Sequence, residues 1–330
     1  MKHVSIILPI GSCIVDTIIA PYNLLRMANS FYKKKVNSTE DFWTVDIVGL
    51  TKDPVTYHKL ISLKPTKTID EIKKTDLIIV SSIDGDLIKQ IDKNTLFIDW
   101  IKNQRSNHNT DIASLCKGAF LLAETGLLNG KACATHWTAQ NLFKLRYPEV
   151  HLVPEKIICE DNGIYSSGGA YSFLNFTLFL IEKYFGRETA IWISKISEID
   201  FDRDKQSQFM IFQGQREHDD KQIKQAQDII EENYSNKISI EEIANMVYLN
   251  QRSFLRRFKK ATDNTPIEYL QRVKVESAKK KLELTTLTIS EIMYGIGYND
   301  EKAFRKTFRK YSGLSPKEYR LKFSIKNTTS

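Results

Sequence analysis

Apolar residues in the last third of the chain recur at helical spacing, and the pattern is written twice. In 238–270, Ile240, Ile243, Ala244 and Val247 precede Phe254 and Phe258; in 288–321, Ile289, Ile292 and Ile296 precede Phe304 and Phe308. Phe254 falls on Phe304, Phe258 on Phe308, Pro266 on Pro316 and Tyr269 on Tyr319, all 50 positions apart, whereas Ile243 and Ile292 are 49 apart. A one-residue slip inside a turn leaves both flanking helices intact, so one fold unit is used twice. Each copy predicts a helix opened by a capping box, Ser239 to Glu242 or Thr288 to Glu291. A turn follows, then a second helix capped by Asn250 or Asp300. Thr265-Pro266 and Ser315-Pro316 start a third. Phenylalanines four apart share a helix face, which predicts a buried face on each second helix. The other face is basic.

Upstream the period changes. Short apolar runs at 4–8, 43–48, 77–81 and 112–115, with later ones at 156–159 and 164–167, read as strands. Helical patterns at 21–29, 87–105, 118–124 and 170–184 alternate with them. The alternation predicts an α/β domain with a largely parallel sheet, whose ligands gather beyond the carboxyl ends of the strands. The predicted organisation is an α/β domain over 1–193, a polar linker over 194–217 and an all-α domain over 218–324. The linker carries an apolar anchor at 208–212, and 218–233 reads as an amphipathic helix with Ile223, Ala226, Ile229 and Ile230 inward.

Charge sharpens this division. Residues 1–233 hold 28 Lys+Arg against 30 Asp+Glu, a balance of −2, and 234–330 hold 20 against 10, a balance of +10. The positive excess sits in the duplicated region, as expected of a module that binds a polyanion. No apolar 18-residue run and no signal-peptide pattern is present, so no membrane partner is expected and a cytoplasmic location is. Cys13, Cys116, Cys133 and Cys159 have neither metal-ligand spacing nor a disulfide framework. His218, Asp219 and Asp220 are adjacent on a helix and diverge, so neither a metal nor a cofactor is predicted.

A helix-turn-helix lays its second helix in the DNA major groove. Two amphipathic hairpins with solvated charges are the plainer reading, but duplication of the cationic face favours DNA. Gln251, Arg252 and Arg256, with Glu301, Lys302, Arg305 and Lys306, are the expected base contacts. Lys259, Lys260, Arg272, Arg309 and Lys310 are the expected phosphate contacts. Arg257, beside the phenylalanines, is expected to be structural. A helix over 267–284 would hold the two reading helices about one duplex turn apart. On Gly297-Tyr298, Phe304, Phe308, Gly313, Pro316 and Tyr319-Arg320, residues 238–321 resemble the DNA-binding domain of AraC/XylS-family transcription regulators; the first copy departs with Asp263 where the second has Gly313. The resemblance implies sequence-specific binding to double-stranded promoter DNA, with RNA polymerase as a further partner.

Cys116 lies where a strand runs into a helix, a turn that exposes a side chain and favours a thiolate at the helix start. His136 and Asp16 complete a nucleophile, base and orienter set; each alone is ordinarily a core or surface residue. Residues 114–137, SLCKGAFLLAETGLLNGKACATHW, resemble the elbow segment of the PfpI-like, class I glutamine amidotransferase-like superfamily, and 1–185 resemble that flavodoxin-like domain as a whole. The family's nucleophile falls on Cys116, its histidine on His136 and its early acid on Asp16. Its glycine-rich loop corresponds to 82–85, where only Gly85 is glycine. The resemblance implies a pocket at Asp16, Gly85, Cys116, Lys117, His136 and Gly168. The fused architecture is similar to regulators whose α/β domain binds a small-molecule effector and pairs as a homodimer, so the expected protein is a regulator and not an enzyme. The alternative is a cysteine-dependent hydrolase or amidase tethered to DNA.

Overall fold

The computed structural model describes residues 2–201, 206–236 and 238–324. The chain separates into two compact units, Met1–Gln206 and Ser207–Ser330. Of the predicted linker, 202–205 lie outside the described residues. The rest is structured on both sides of that gap, with helix to Ile196 before it and the buried Gln206 after it.

The first unit opens with β1 (Lys2–Ile7), α1 (Asp16–Val36), β2 (Trp43–Gly49), the hairpin β3 (Val55–Tyr57) and β4 (Ile61–Leu63), β5 (Lys67–Thr68) and β6 (Leu77–Val80). It continues through α2 (Leu87–Lys93), α3 (Thr95–His108), β7 (Asp111–Ser114), α4 (Ala119–Glu124), β8 (Ala132–Cys133), α5 (Gln140–Arg146), β9 (His151–Leu152), β10 (Ile158–Asp161), β11 (Ile164–Ser167), α6 (Ser172–Phe185) and α7 (Arg187–Ile196). Seven strands form one sheet in the order β10-β11-β7-β6-β1-β2-β5. All pairings are parallel except β10 with β11. Both faces are covered, as parallel sheets require. Val4, Ile6, Leu77 and Ile79 point to α1, α6 and α7; Ile7, Ile78 and Val80 point to the opposite layer of α2 to α5. This is the period-two alternation of a strand.

The helix predicted over 21–29 runs over Asp16–Val36, with Pro21 inside it. Proline removes one N–H near the helix start, where the lost bond is to Thr17. The Thr17 carbonyl instead faces the Ser81 hydroxyl at 3.5 Å. The short strands β3, β4, β5, β8 and β9 carry too few residues for a sequence period to reveal, whereas α7, ten residues with Ala190 and Ile193 buried, was not predicted and ends inside the segment expected to be linker.

The second unit consists of α8 (Lys221–Asn233), α9 (Ile240–Met246), α10 (Gln251–Thr262), α11 (Pro266–Leu284), α12 (Ile289–Gly295), α13 (Glu301–Ser312) and α14 (Pro316–Phe323). Reciprocal capping boxes open α9, α11, α12 and α14. Two matching cores result. One gathers Ile243, Val247, Phe254, Phe258 and Tyr269; the other gathers Ile292, Ile296, Phe304, Phe308 and Tyr319. The repeat extends further than the sequence pattern suggested. Ile223, Ala226 and Ile230 of α8 occupy in the first core the place that Val275, Ala278 and Leu282 of α11 occupy in the second, each pair 52 positions apart. The tyrosine hydroxyls follow suit: Tyr269 donates to Glu231 at 2.5 Å and Tyr319 to Glu283 at 2.6 Å. α11 thus closes one copy and opens the next.

The turns differ in one respect. Gly297 has φ +77°, and a Cβ there would lie 2.4 Å from the Ser235 carbonyl oxygen. Its counterpart Tyr248 holds the same left-handed backbone, φ +55°, with 89% of its surface exposed. A non-glycine side chain in that region is strained by about 1–2 kcal/mol. Tyr248→Gly is therefore expected to raise the stability of this unit by about 0.5–1 kcal/mol in urea unfolding. A loss of stability would show that the ring supports the fold.

Candidate functional site

Two surfaces collect the predicted residues, one in each unit. In the second unit, burial of Phe254 and Phe258 turns Gln251, Arg252, Leu255, Arg256, Lys259 and Lys260 outward on α10. The same burial turns Glu301, Lys302, Arg305, Lys306, Arg309 and Lys310 outward on α13, and all twelve are exposed. The side chain of Asn250 accepts from Ser253 N at 2.9 Å, and that of Asp300 accepts from Ala303 N at 2.5 Å, so each reading helix begins at a side-chain cap. Among the described residues no ion pair engages Arg252, Arg256, Lys260, Lys302, Lys306 or Arg309. Their charge remains available to an outside partner.

Five of the expected contact residues make contacts within the unit itself. Arg305 and Glu301, both expected at base edges, pair with each other at 2.5 Å across one helical turn. Lys259 donates to the Asp263 carbonyl at 2.7 Å and so caps its own helix. Arg272, expected on phosphate, lies between the rings of Phe212 and Tyr311, 5.7 and 4.8 Å from their centroids, with Nε buried and unpartnered. It is an internal brace between the two copies. Lys310 lies over the Tyr311 ring at 4.9 Å. Arg257 makes a two-pronged pair with Asp220, Nε at 2.8 Å and Nη2 at 2.6 Å, and a third bond to Gln222, which ties α10 to the start of α8. His218 bonds to Gln227, and no metal-ligand cluster exists among the described residues.

In the first unit the loops after β1, β6 and β7 converge at the carboxyl edge of the sheet. Ile14 N donates to Ser82 O, Asp84 N to Ser12 O and Leu115 N to Val80 O. The chain turns sharply at Cys116, which holds φ +54° and leads into the helical turn before α4. Gly118 makes the turn fit, because a Cβ there would stand 2.4 Å from the Val80 carbonyl oxygen. The elbow is present, but its thiol is not activated. Cys116 is 1% exposed, and burial pushes the thiol above its ordinary value, against the opposing pull of the Ser82 hydroxyl and the Lys117 amide. The thiolate expected from the helix start is overridden by desolvation, since an α4 of six residues supplies little field.

Among the described residues no hydrogen bond joins Cys116, His136 and Asp16 into a set. His136 Nδ1 accepts from Thr138 N at 3.1 Å, and its ring lies against Gly169, where a Cβ would clash with Cδ2. Burial and then the Lys117 charge hold the imidazole below its ordinary pKa, so it is neutral at physiological pH. Asp16 is exposed and accepts from the Tyr171 hydroxyl at 3.3 Å. Lys117 pairs with Asp84 at 2.6 Å; against the upward push of burial, this bond and the Gly85 amide hold Asp84 low. Gly85 has φ +74°, and a Cβ there would make only an ordinary contact, 4.0 Å from the Ser12 Cβ. Gly168 packs on the carboxamide of Gln206, a residue the sequence pattern assigned to the linker. Gln206 is 2% exposed and donates to the carbonyls of Thr135, Pro154 and Lys156, while Gly169 N donates to its Oε1. No period marks a lone glutamine, so its role was not legible in the sequence.

The model described as DJ-1/PfpI family matches residues 19–183, half of the chain, and the chain belongs to that family. A model described as Helix-turn-helix domain, of the AraC type, matches 243–322. The HTH-type transcriptional regulator GbdR of Pseudomonas aeruginosa is 26% identical over 210 residues, 63% of this chain; the match spans 57% of GbdR. The regulator CdhR of the same species is 22% identical over 303 residues, 92% of this chain and 87% of CdhR. Isonitrile hydratase of Pseudomonas putida is 31% identical over 138 residues, 42% of this chain and 58% of the hydratase. A crystal structure described as a candidate transcriptional regulator from Vibrio parahaemolyticus superposes with a TM-score of 0.53 at 25% identity, covering 59% of this chain and 98% of that one. No helix among the described residues is long and apolar enough to cross a membrane.

The buried thiol has a pH signature. Its folded pKa lies above its unfolded value, so its contribution to stability is complete below the ordinary thiol range and is lost as pH rises through it. Unfolding free energy is expected to fall above pH ~8.5, and less so in Cys116→Ala. Iodoacetamide is expected to label native Cys116 at pH 7.5 at least about tenfold more slowly than free cysteine. Labelling at the free rate would show an accessible thiolate.

Proposed function

We propose that the protein is a sequence-specific DNA-binding transcription regulator. In this reading α10 and α13 enter successive major grooves, and the first unit binds a small-molecule effector near Cys116 and pairs with a second copy of the chain. The observation that carries it is the repetition of one burial pattern on both reading helices, with exposed and unpaired cations on each outward face. Solvated charge needs no such register, whereas two grooves of one duplex do. Arg252, Arg256, Lys302 and Lys306 are the base readers in this reading, with Gln251 beside them. Lys260 and Arg309 hold phosphates, with Lys310 at the same edge. The match to GbdR and CdhR supports regulation, and a cytoplasmic location with RNA polymerase as a further partner belongs to the same reading.

The strained elbow at Cys116 and the match to isonitrile hydratase favour a second reading, a cysteine-dependent hydrolase or amidase. Its chemistry needs a base within reach of the sulfur. The neutral imidazole turned to Thr138 and the protonated, buried thiol weigh against it. The convergence of Lys117, Asp84, His136 and the glycines suits recognition of a polar ligand. Cys116→Ala separates the readings. Regulation is expected to survive the substitution; loss of a measurable turnover together with loss of gene control would establish the enzyme.

On a site selected from random duplexes, Arg256→Ala is expected to lose about 1–3 kcal/mol of binding and to relax the preference at one base pair. Lys260→Ala is expected to weaken cognate and random DNA alike and to lower the slope of log K against log salt by about 1. Equal losses on both kinds of DNA for Arg256→Ala would remove Arg256 from the base-reading set.

A further inference from the structure

The outward positions of α10 and α13 correspond one to one, and where the second copy has Arg305 the first has Leu255. Leu255 is the one apolar residue among the six outward positions of α10, and it is 40% exposed. It follows Arg252 by three positions, precedes Lys259 by four and adjoins Arg256, so cations surround it on its own face. A single exposed leucine is unremarkable by itself. Here the duplication supplies the comparison, because the same fold position carries an ionic side chain in one copy and a hydrocarbon in the other.

We propose that Leu255 is a specificity-determining residue that packs on the 5-methyl group of a thymine in the major groove. The inference rests on the DNA-reading function proposed above. A surface ringed by Arg252, Arg256 and Lys259 repels a cationic partner and suits an anionic one. The major groove offers phosphates at its rim and one apolar group on its floor, the thymine methyl. Arg252 and Arg256 supply the donors on either side, and Leu255 supplies the hydrocarbon between them. The second copy lacks this apolar contact. Arg305 is held by Glu301 at 2.5 Å and presents a guanidinium where Leu255 presents methyl groups. The two copies, equal in fold, therefore prefer different half-sites.

The test uses the full chain and a duplex selected from a random pool. Each thymine of that duplex is replaced in turn by deoxyuridine, which deletes the methyl group and keeps the base pair. For the unmutated chain, one thymine near the base pair whose preference Arg256→Ala relaxes is expected to lose about fourfold in affinity, the equivalent of one buried carbon. Leu255→Ala is expected to bind the thymine duplex more weakly and to lose all response to uracil at that position. Leu255→Arg is expected to select guanine there. Absence of a methyl-sensitive thymine in the unmutated chain would overturn the proposal, as would undiminished sensitivity in Leu255→Ala. The scan on the unmutated chain is independent of how the variants fold. Recovery of no preferred sequence at all would instead overturn the DNA-reading function, so the two failures are distinct.

Discussion

The second unit depends on how its phenylalanines are buried. Phe254 and Phe258 pack edge to face at 5.5 Å, and Tyr269 closes on Phe258 at 5.4 Å. Phe304, Phe308 and Tyr319 repeat the arrangement at 5.8 and 5.5 Å. Truncating any one of these phenylalanines removes about 3–5 kcal/mol, a large share of a domain's net stability. Their burial also fixes the rotation of each helix about its axis. Once two residues four apart face inward, the identity of the outward residues is settled. The core thus decides which residues make up the cationic face, while that face adds only local contacts such as the Lys259 cap and the Arg305–Glu301 pair.

The same logic explains the economy of α11. Its nineteen residues, about 28 Å at 1.5 Å per residue, carry Tyr269 into the first core and Val275, Ala278 and Leu282 into the second. One continuous helix thus transmits the orientation of one copy to the other. Arg272 reinforces it from the middle, held between Phe212, which packs against the first core, and Tyr311, which packs against the second. Lys279 is almost wholly buried. It is tolerated because Glu276 and the Met210 carbonyl satisfy it at 3.2 and 2.7 Å.

The first unit separates the shape of its elbow from the electrostatics around it. The strand-to-helix turn, the left-handed backbone at Cys116 and the tight approach of Gly118 are geometric requirements of the loop packing, and they persist. Activation requires more: an exposed sulfur, a base aimed at it and a field that favours the anion. Here the sulfur is buried, the imidazole faces Thr138, and the Lys117 charge is largely answered by Asp84. Strain alone does not make a nucleophile. The loops around Cys116 hold a neutral imidazole, a satisfied Lys117–Asp84 ion pair, and two glycines closed over by Gln206 and His136.

What the sequence reveals and what it conceals follow the same division. Periodicity reports which side of an element is buried, so the parallel sheet, both helix-turn-helix units and the outward faces were legible from alternation and from the 50-residue offset. It is silent about the partner a polar side chain takes. Arg305 and Lys306 look alike in sequence, yet one is held by Glu301 and the other is free to reach outward. Arg272 reads as one more cation until Phe212, sixty residues earlier, is found beside it. Gln206 carries no pattern because its four bonds run to backbone groups, which every residue possesses. Contacts of this kind depend on loop closure in three dimensions, and only repetition can substitute for a structure in exposing them. The duplicated unit provides that substitute. Aligning its copies shows which outward positions changed chemistry while the core stayed constant, and such positions are where specificity is free to vary without cost to the fold.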